Sequence, residues 1–145
     1  MKKIIISVLF ISVLAMSCAS KPDITGKDWK LTEIIIDGSK INFDRDTLAS
    51  EGFDEIFTLR FDSGTVSGVG ASKQYSAPYT LKGQTISVTL SGSDMTTVVH
   101  EPEKLREQDF FSYMQNVYEW KMTDDMLELY SKTEDGNEVK LLFSM

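Results

Sequence analysis

From Trp29 to Ile36 the chain reads WKLTEIII, with Trp29, Leu31, Glu33 and Ile35 set against Lys30, Thr32, Ile34 and Ile36 on a two-residue period. That alternation predicts a half-buried strand. Residues 37–40 (DGSK) supply a turn and residues 41–43 resume the apolar pattern, which completes a hairpin. The polar stretch 44–55 predicts a loop holding one short helical turn. Residues 56–61 (IFTLRF) alternate again, and the turn at 62–64 leads into 65–70. Further strands are predicted at 79–81, 85–90 and 95–99, separated by glycine-containing turns at 82–84 and 91–94. Then the period changes. Residues 103–116 (EKLREQDFFSYMQN) lack Gly and Pro and predict a helix, with Phe110, Phe111, Met114, Val117 and Tyr118 on one face and Pro102 in its first turn. Strands at 118–123, 126–132 and 139–143 close the chain. Many strands and one helix describe an α+β fold with mostly antiparallel sheet.

The N-terminus follows a different logic. Lys2 and Lys3 precede IIISVLFISVLAM, an apolar run shorter than the roughly 20 residues that span a bilayer. A positive start, a short apolar core and small residues at Ala15 and Ser17 predict a signal peptide over 1–17. Leu14, Ala15, Met16, Ser17 and Cys18 resemble a bacterial lipobox, with Ala15 where Leu is usual. The resemblance implies that the Cys18 thiol takes diacylglycerol, that cleavage precedes it, and that a fatty acyl chain such as palmitate caps the new amino group. Two or more acyl chains anchor a protein stably. Residues 18–25, polar and containing Pro22, form the lipidated tether, and 26–145 form one domain. Ala19 in place of Asp gives no signal for inner-membrane retention, so the expected location is the cell envelope, on the outer membrane or the cell surface.

Charge narrows the partners. The formal net charge is −7, and removing Lys2 and Lys3 with the leader makes the mature chain more acidic still. Such a surface lacks the cations that displace counterions from nucleic acid, so no nucleic-acid partner is expected. Cys18 is the sole cysteine, so its acylation leaves no disulfide and no thiolate ligand. With a single histidine, His100, no metal site is expected, and no cofactor. His100 beside Glu101 lies next to no marked nucleophile. The stretch GVGASK (68–73) resembles a phosphate loop only in its glycines: it opens no helix, and a bulge or tight bend explains it better. Asp44, Asp46, Asp54, Glu55, Asp124, Asp125, Glu134 and Asp135 fall in turns, where they serve the backbone. The aromatics Tyr75, Tyr79, Tyr113, Tyr118, Trp120 and Tyr130 would either line a groove or pack in the core.

Several of these residues resemble the META-domain family, known from HslJ-type heat-inducible bacterial lipoproteins. Gly26, Trp29 and Leu31 match its opening G-x-x-W-x-L. FTLRFDSGTVSG supplies Phe61, Gly64 and Gly68, while Tyr75 and Tyr79 match two later aromatics. The family's G-C-N-x-Y is here Ala71, Ser72, Lys73, Gln74 and Tyr75, without the cysteine or the asparagine. The resemblance implies a small open β-barrel or cone with one helix packed against it, a link to envelope stress, and no defined catalytic activity. The expected protein is therefore a noncatalytic, monomeric lipoprotein that meets the membrane through its lipid and binds an envelope partner. The proposed contact residues are Lys73, Gln74, Tyr75, Pro78 and Tyr79. The alternative is a small barrel carrying an apolar ligand in its interior. The lipid assignment has a direct test: Cys18→Ala abolishes incorporation of a fatty-acid analogue in cells, whereas unchanged labelling would refute it.

Overall fold

The computed structural model describes residues 21–91, 102 and 104–145. In chain order the elements are β1 (Trp29–Ile36), β2 (Ser39–Asn42), α1 (Arg45–Ser50), β3 (Thr58–Asp62), β4 (Thr65–Val69), β5 (Gln74–Lys82), β6 (Thr85–Val88), α2 (Glu107–Gln115), β7 (Glu119–Thr123), β8 (Met126–Lys132) and β9 (Glu138–Ser144). The leader, Cys18, the strand expected at 95–99 and His100 lie outside the described residues.

The long first strand determines the architecture. One edge of β1 pairs with β9 from Lys30↔Ser144 to Ile36↔Val139. Its other edge is shared, with β3 opposite Trp29 and Lys30 and with β2 opposite Glu33–Ile36. The run β1-β3-β4-β5-β6-β7-β8-β9 therefore returns to β1 as an eight-stranded antiparallel barrel, with β2 as an extra strand. This corrects one expectation and narrows another: the barrel is closed rather than open, and with two short helices the fold is mostly β, so the α+β description holds only in part. Two seams are thin. β6 and β7 share one residue pair, Thr85↔Glu119, and β1 and β3 share two.

An uninterrupted alternation along β1 would bury Glu33 with Trp29 and Leu31. The structure avoids this with a register shift between Leu31 and Glu33. Beyond that bulge, Ile34 turns inward and is buried, while Glu33 stays half-exposed and meets Lys40 at 3.6 Å. A bulge adds one residue to one strand and so reverses which face each later side chain occupies.

Helix α2 begins later than the sequence predicts. Arg106 is extended (φ −78, ψ 145) and serves as N-cap, so Pro102 lies ahead of the first turn rather than in it. Leu105 is buried just before the helix starts. On the helix Phe110 and Met114 are buried, Val117 is buried just beyond its end, and Tyr118 is exposed.

The interior is filled from both ends. Trp29, Phe57, Phe61, Phe110 and Phe143 are among the largest fully buried side chains. At one end α2 inserts Phe110 against Phe57, with ring centroids 5.1 Å apart. At the other, residues 21–26 cross the barrel mouth. Lys21 and Pro22 border Gly83, Gln84 and Trp120–Thr123, whereas Thr25 bridges to Phe61 on β3, across the barrel. Between them Ile24 is 1% exposed, and its carbonyl accepts the Trp29 indole N–H at 3.1 Å. The sequence places Ile24 and Thr25 in the tether, yet their packing is that of the barrel. Ile24→Ala should accordingly cost about 2–5 kcal/mol in urea denaturation, the range for a buried isoleucine. A loss below about 0.5 kcal/mol would mark the segment as a loose tether.

Candidate functional site

The site expected at 73–79 begins at the β4–β5 connection, residues 70–73. The Gly70 N–H donates to Lys73 O and the Gly70 carbonyl accepts from Phe57 N–H, both at 2.8 Å. The next three N–H groups converge on a single atom. Ala71, Ser72 and Lys73 donate to Glu107 Oε2 at 2.6, 2.7 and 3.1 Å. Successive backbone N–H groups pointing into one concavity form an anion nest. Here the anion is a side chain of the protein itself, from the first turn of α2, and it is 2% exposed.

Two glycines make this approach feasible. A Cβ on Gly70 would stand 2.8 Å from both Glu107 Oε2 and the Phe111 ring, and one on Gly68 would stand 2.0 Å from Thr58 O. Opposite Gly68 in the ladder is Tyr75. Its ring lies edge-on to Phe111 at 5.4 Å and Phe110 at 6.1 Å, and its hydroxyl donates to Thr58 O at 2.8 Å. Burial pushes the Tyr75 hydroxyl far above its ordinary ionisation range. Phe57, preceding Thr58, holds φ at +51, a costly conformation for a bulky residue, while its ring is enclosed by Phe43 and Phe110.

Because β5 alternates, the five expected contact residues do not share a face. Tyr75 and Tyr79 point inward, the latter packed on Phe61 at 4.8 Å. Gln74 and Pro78 are exposed on the outer face, and Lys73 is half-buried in the turn. Pro78 occupies the point where β5 stops pairing with β4 and starts pairing with β6, where a ladder donor is dispensable. The other aromatics are dispersed as well. Trp120 is buried and donates to Gly83 O at 2.9 Å. Tyr118 and Tyr130 lie on the outer side of the barrel, donating to Glu138 and Glu128. The first is pushed up to about 12 chiefly by its hydrogen bond to Glu138, the second to about 12 by burial and then Glu128.

The outer faces of β3, β4 and β5 border an open cleft of ≈ 740 Å³, with Lys30, Arg60, Gln74 and Ser76 in its lining. Its cations are already matched: Arg60 pairs with Asp28 at 2.9 Å and Asp62 at 2.6 Å, and Lys30 with Asp54 at 2.9 Å. Asp28, then Asp62, raises the ionisation of Arg60 further, and Lys30 lowers that of Asp54. Among the described residues no group of three or more His, Cys, Asp or Glu side chains could hold a metal ion. Two structural charges escaped the sequence reading. Glu107 is one. Arg45 is the other, a half-buried guanidinium donating to Leu31 O, Asp54 O and Ile56 O at 3.2, 2.7 and 3.0 Å and so tying α1 to the barrel.

A family model described as META domain matches residues 22–144. No curated protein matches the chain. Among solved structures, a DUF4847-family protein from Bacteroides vulgatus aligns at 15% identity and a TM-score of 0.55, over 83% of this chain and 93% of that one. A protein from Burkholderia xenovorans, solved by NMR, aligns at 18% identity and the same TM-score, over 88% and 94%. At these identities the likeness is one of fold.

The buried Tyr75 hydroxyl generates a pH-dependent expectation. A free tyrosine ionises near 10.0 and the folded one well above it, so as pH rises the unfolded chain loses its proton first. Stability from this group is intact below about pH 10 and declines above it. Tyr75→Phe should lose about 1–3 kcal/mol at pH 7, from the orphaned Thr58 carbonyl, yet decline less steeply than the parent above pH 10 in urea titrations. Equal slopes would show that the hydroxyl titrates normally.

Proposed function

The chain belongs to the META-domain family, and from that premise we propose that it is a noncatalytic lipoprotein module, held at the envelope membrane through Cys18, that binds an envelope partner by surface contact and modulates the stress response. The observation that carries this reading is the filling of the barrel. Trp29, Phe57, Phe61, Phe110 and Phe143 occupy the interior and are wholly buried, whereas a carrier of an apolar ligand would need an internal cavity of roughly 300–1,000 Å³. Hydroxyls within the fold support the noncatalytic part. Ser131 is committed to Tyr113 O at 2.6 Å and Tyr75 to Thr58 O.

Within the expected contact set, the geometry favours the outward members. Gln74 lines the outer cleft, Lys73 precedes it in the turn and Pro78 is exposed farther along β5, while Tyr75, which also borders the cleft, and Tyr79 pack against the core. Loops and rims on a rigid scaffold are where recognition residues concentrate. The triple variant Lys73→Ala, Gln74→Ala, Pro78→Ala leaves both tyrosines in place and should keep the parent circular dichroism. In cells it should lose the envelope proteins that the parent captures by crosslinking. A folded variant with an unchanged capture profile would move the contact surface elsewhere.

A further inference from the structure

The antiparallel register assigns the turns between the described strands to one of two barrel ends. The turns at Ser63–Gly64, Gly83–Gln84 and Asp124–Asp125, together with the C-terminal residue Met145, share the end crossed by residues 21–26. Helix α2, the 70–73 turn, the 133–137 turn and the Asp37–Gly38 turn share the other. From these placements we infer that the acylated protein rests its strapped end on the lipid surface and presents its helix-plugged end away from the membrane. The inference rests on the lipid anchor proposed above.

The argument is one of reach. Asp23 is already fixed to the fold: its carboxylate accepts from the Thr25 N–H at 2.9 Å and the Thr25 hydroxyl at 2.7 Å. Ile24 is buried immediately after it. Only residues 19–22 separate Cys18 from Asp23, a fully extended span of roughly 17 Å. Strand β5, nine residues long, runs about 30 Å between the two ends. At the usual barrel tilt that is about 22 Å of height, with α2 and the turns lying beyond it. The tether is too short to run the length of the barrel, so the helix-plugged end stays off the bilayer. The same geometry carries the 70–73 turn and the rim of Lys73 and Gln74 outward, where an envelope partner can reach them.

Single-cysteine substitutions of the full chain, processed and acylated in cells, test this directly. Lys82→Cys and Asp125→Cys report on the strapped end, Ser72→Cys and Glu134→Cys on the other; all four positions are exposed. Each is labelled with bimane and reconstituted in phosphatidylethanolamine–phosphatidylglycerol vesicles carrying headgroup nitroxides. Several-fold stronger quenching at Lys82 and Asp125 than at Ser72 and Glu134 is expected. Equal or reversed quenching in protein that floats with the vesicles overturns the orientation and leaves the anchor standing. Failure to float, with an unacylated mass, overturns the anchor and the orientation with it.

Discussion

One carboxylate oxygen, Glu107 Oε2, organises the end of this barrel. Burying a carboxylate without partners is costly, and burying it against three N–H donors is not. The bond set works in both directions. It satisfies the charge of Glu107, and it satisfies three backbone donors in a turn that has no strand to pair with. It also joins pieces remote in sequence: the first turn of α2 is fixed to the β4–β5 connection. Once helix and turn are joined, Phe110 and Phe111 stand against Phe57 and Tyr75, and the open end of the barrel is closed.

The opposite end solves the same problem by simpler means. A β-barrel of eight strands has room in its mouth for a few side chains. Ile24 fills that room, held by the Trp29 indole through its own carbonyl. Trp29, which carries the family's opening motif, is therefore both a core residue and the latch of the N-terminal strap. Each barrel end is closed by a segment that is not a strand, and each closure depends on a hydrogen bond to a buried group.

The strands were legible because alternation and turn chemistry are local signals. What escaped were features that depend on a second segment. The bulge in β1 was written only in the conflict between Glu33 and an otherwise apolar face. Barrel closure lies in the β1–β9 register, which no local pattern reports. The start of α2 is displaced because Arg106 is extended behind the buried Leu105, although residues 103–106 have helix-forming composition. Glu107 had a visible signal. It shares the helical stripe of Phe110, Phe111 and Met114, and an acid on an apolar stripe implies a buried partner. The glycines of 68–73 open no helix, yet their turn does cradle an anion. Lys73, Gln74, Tyr75, Pro78 and Tyr79 are neighbours in sequence, whereas a strand divides its residues between two faces.

The adjacency of the first and last strands has a consequence for how the molecule comes into being. Lys30 stands beside Ser144 and Ile36 beside Val139, so the barrel's ring cannot be completed until β9 is available. Contacts so distant in sequence are slow to form, because the intervening chain must first be gathered. A chain still emerging from the ribosome would have β1 exposed along the edge that β9 later covers, and would have no finished sheet to lock. That delay would suit the export that the proposed Cys18 anchor requires, since a translocation channel accepts the chain before it folds rather than after.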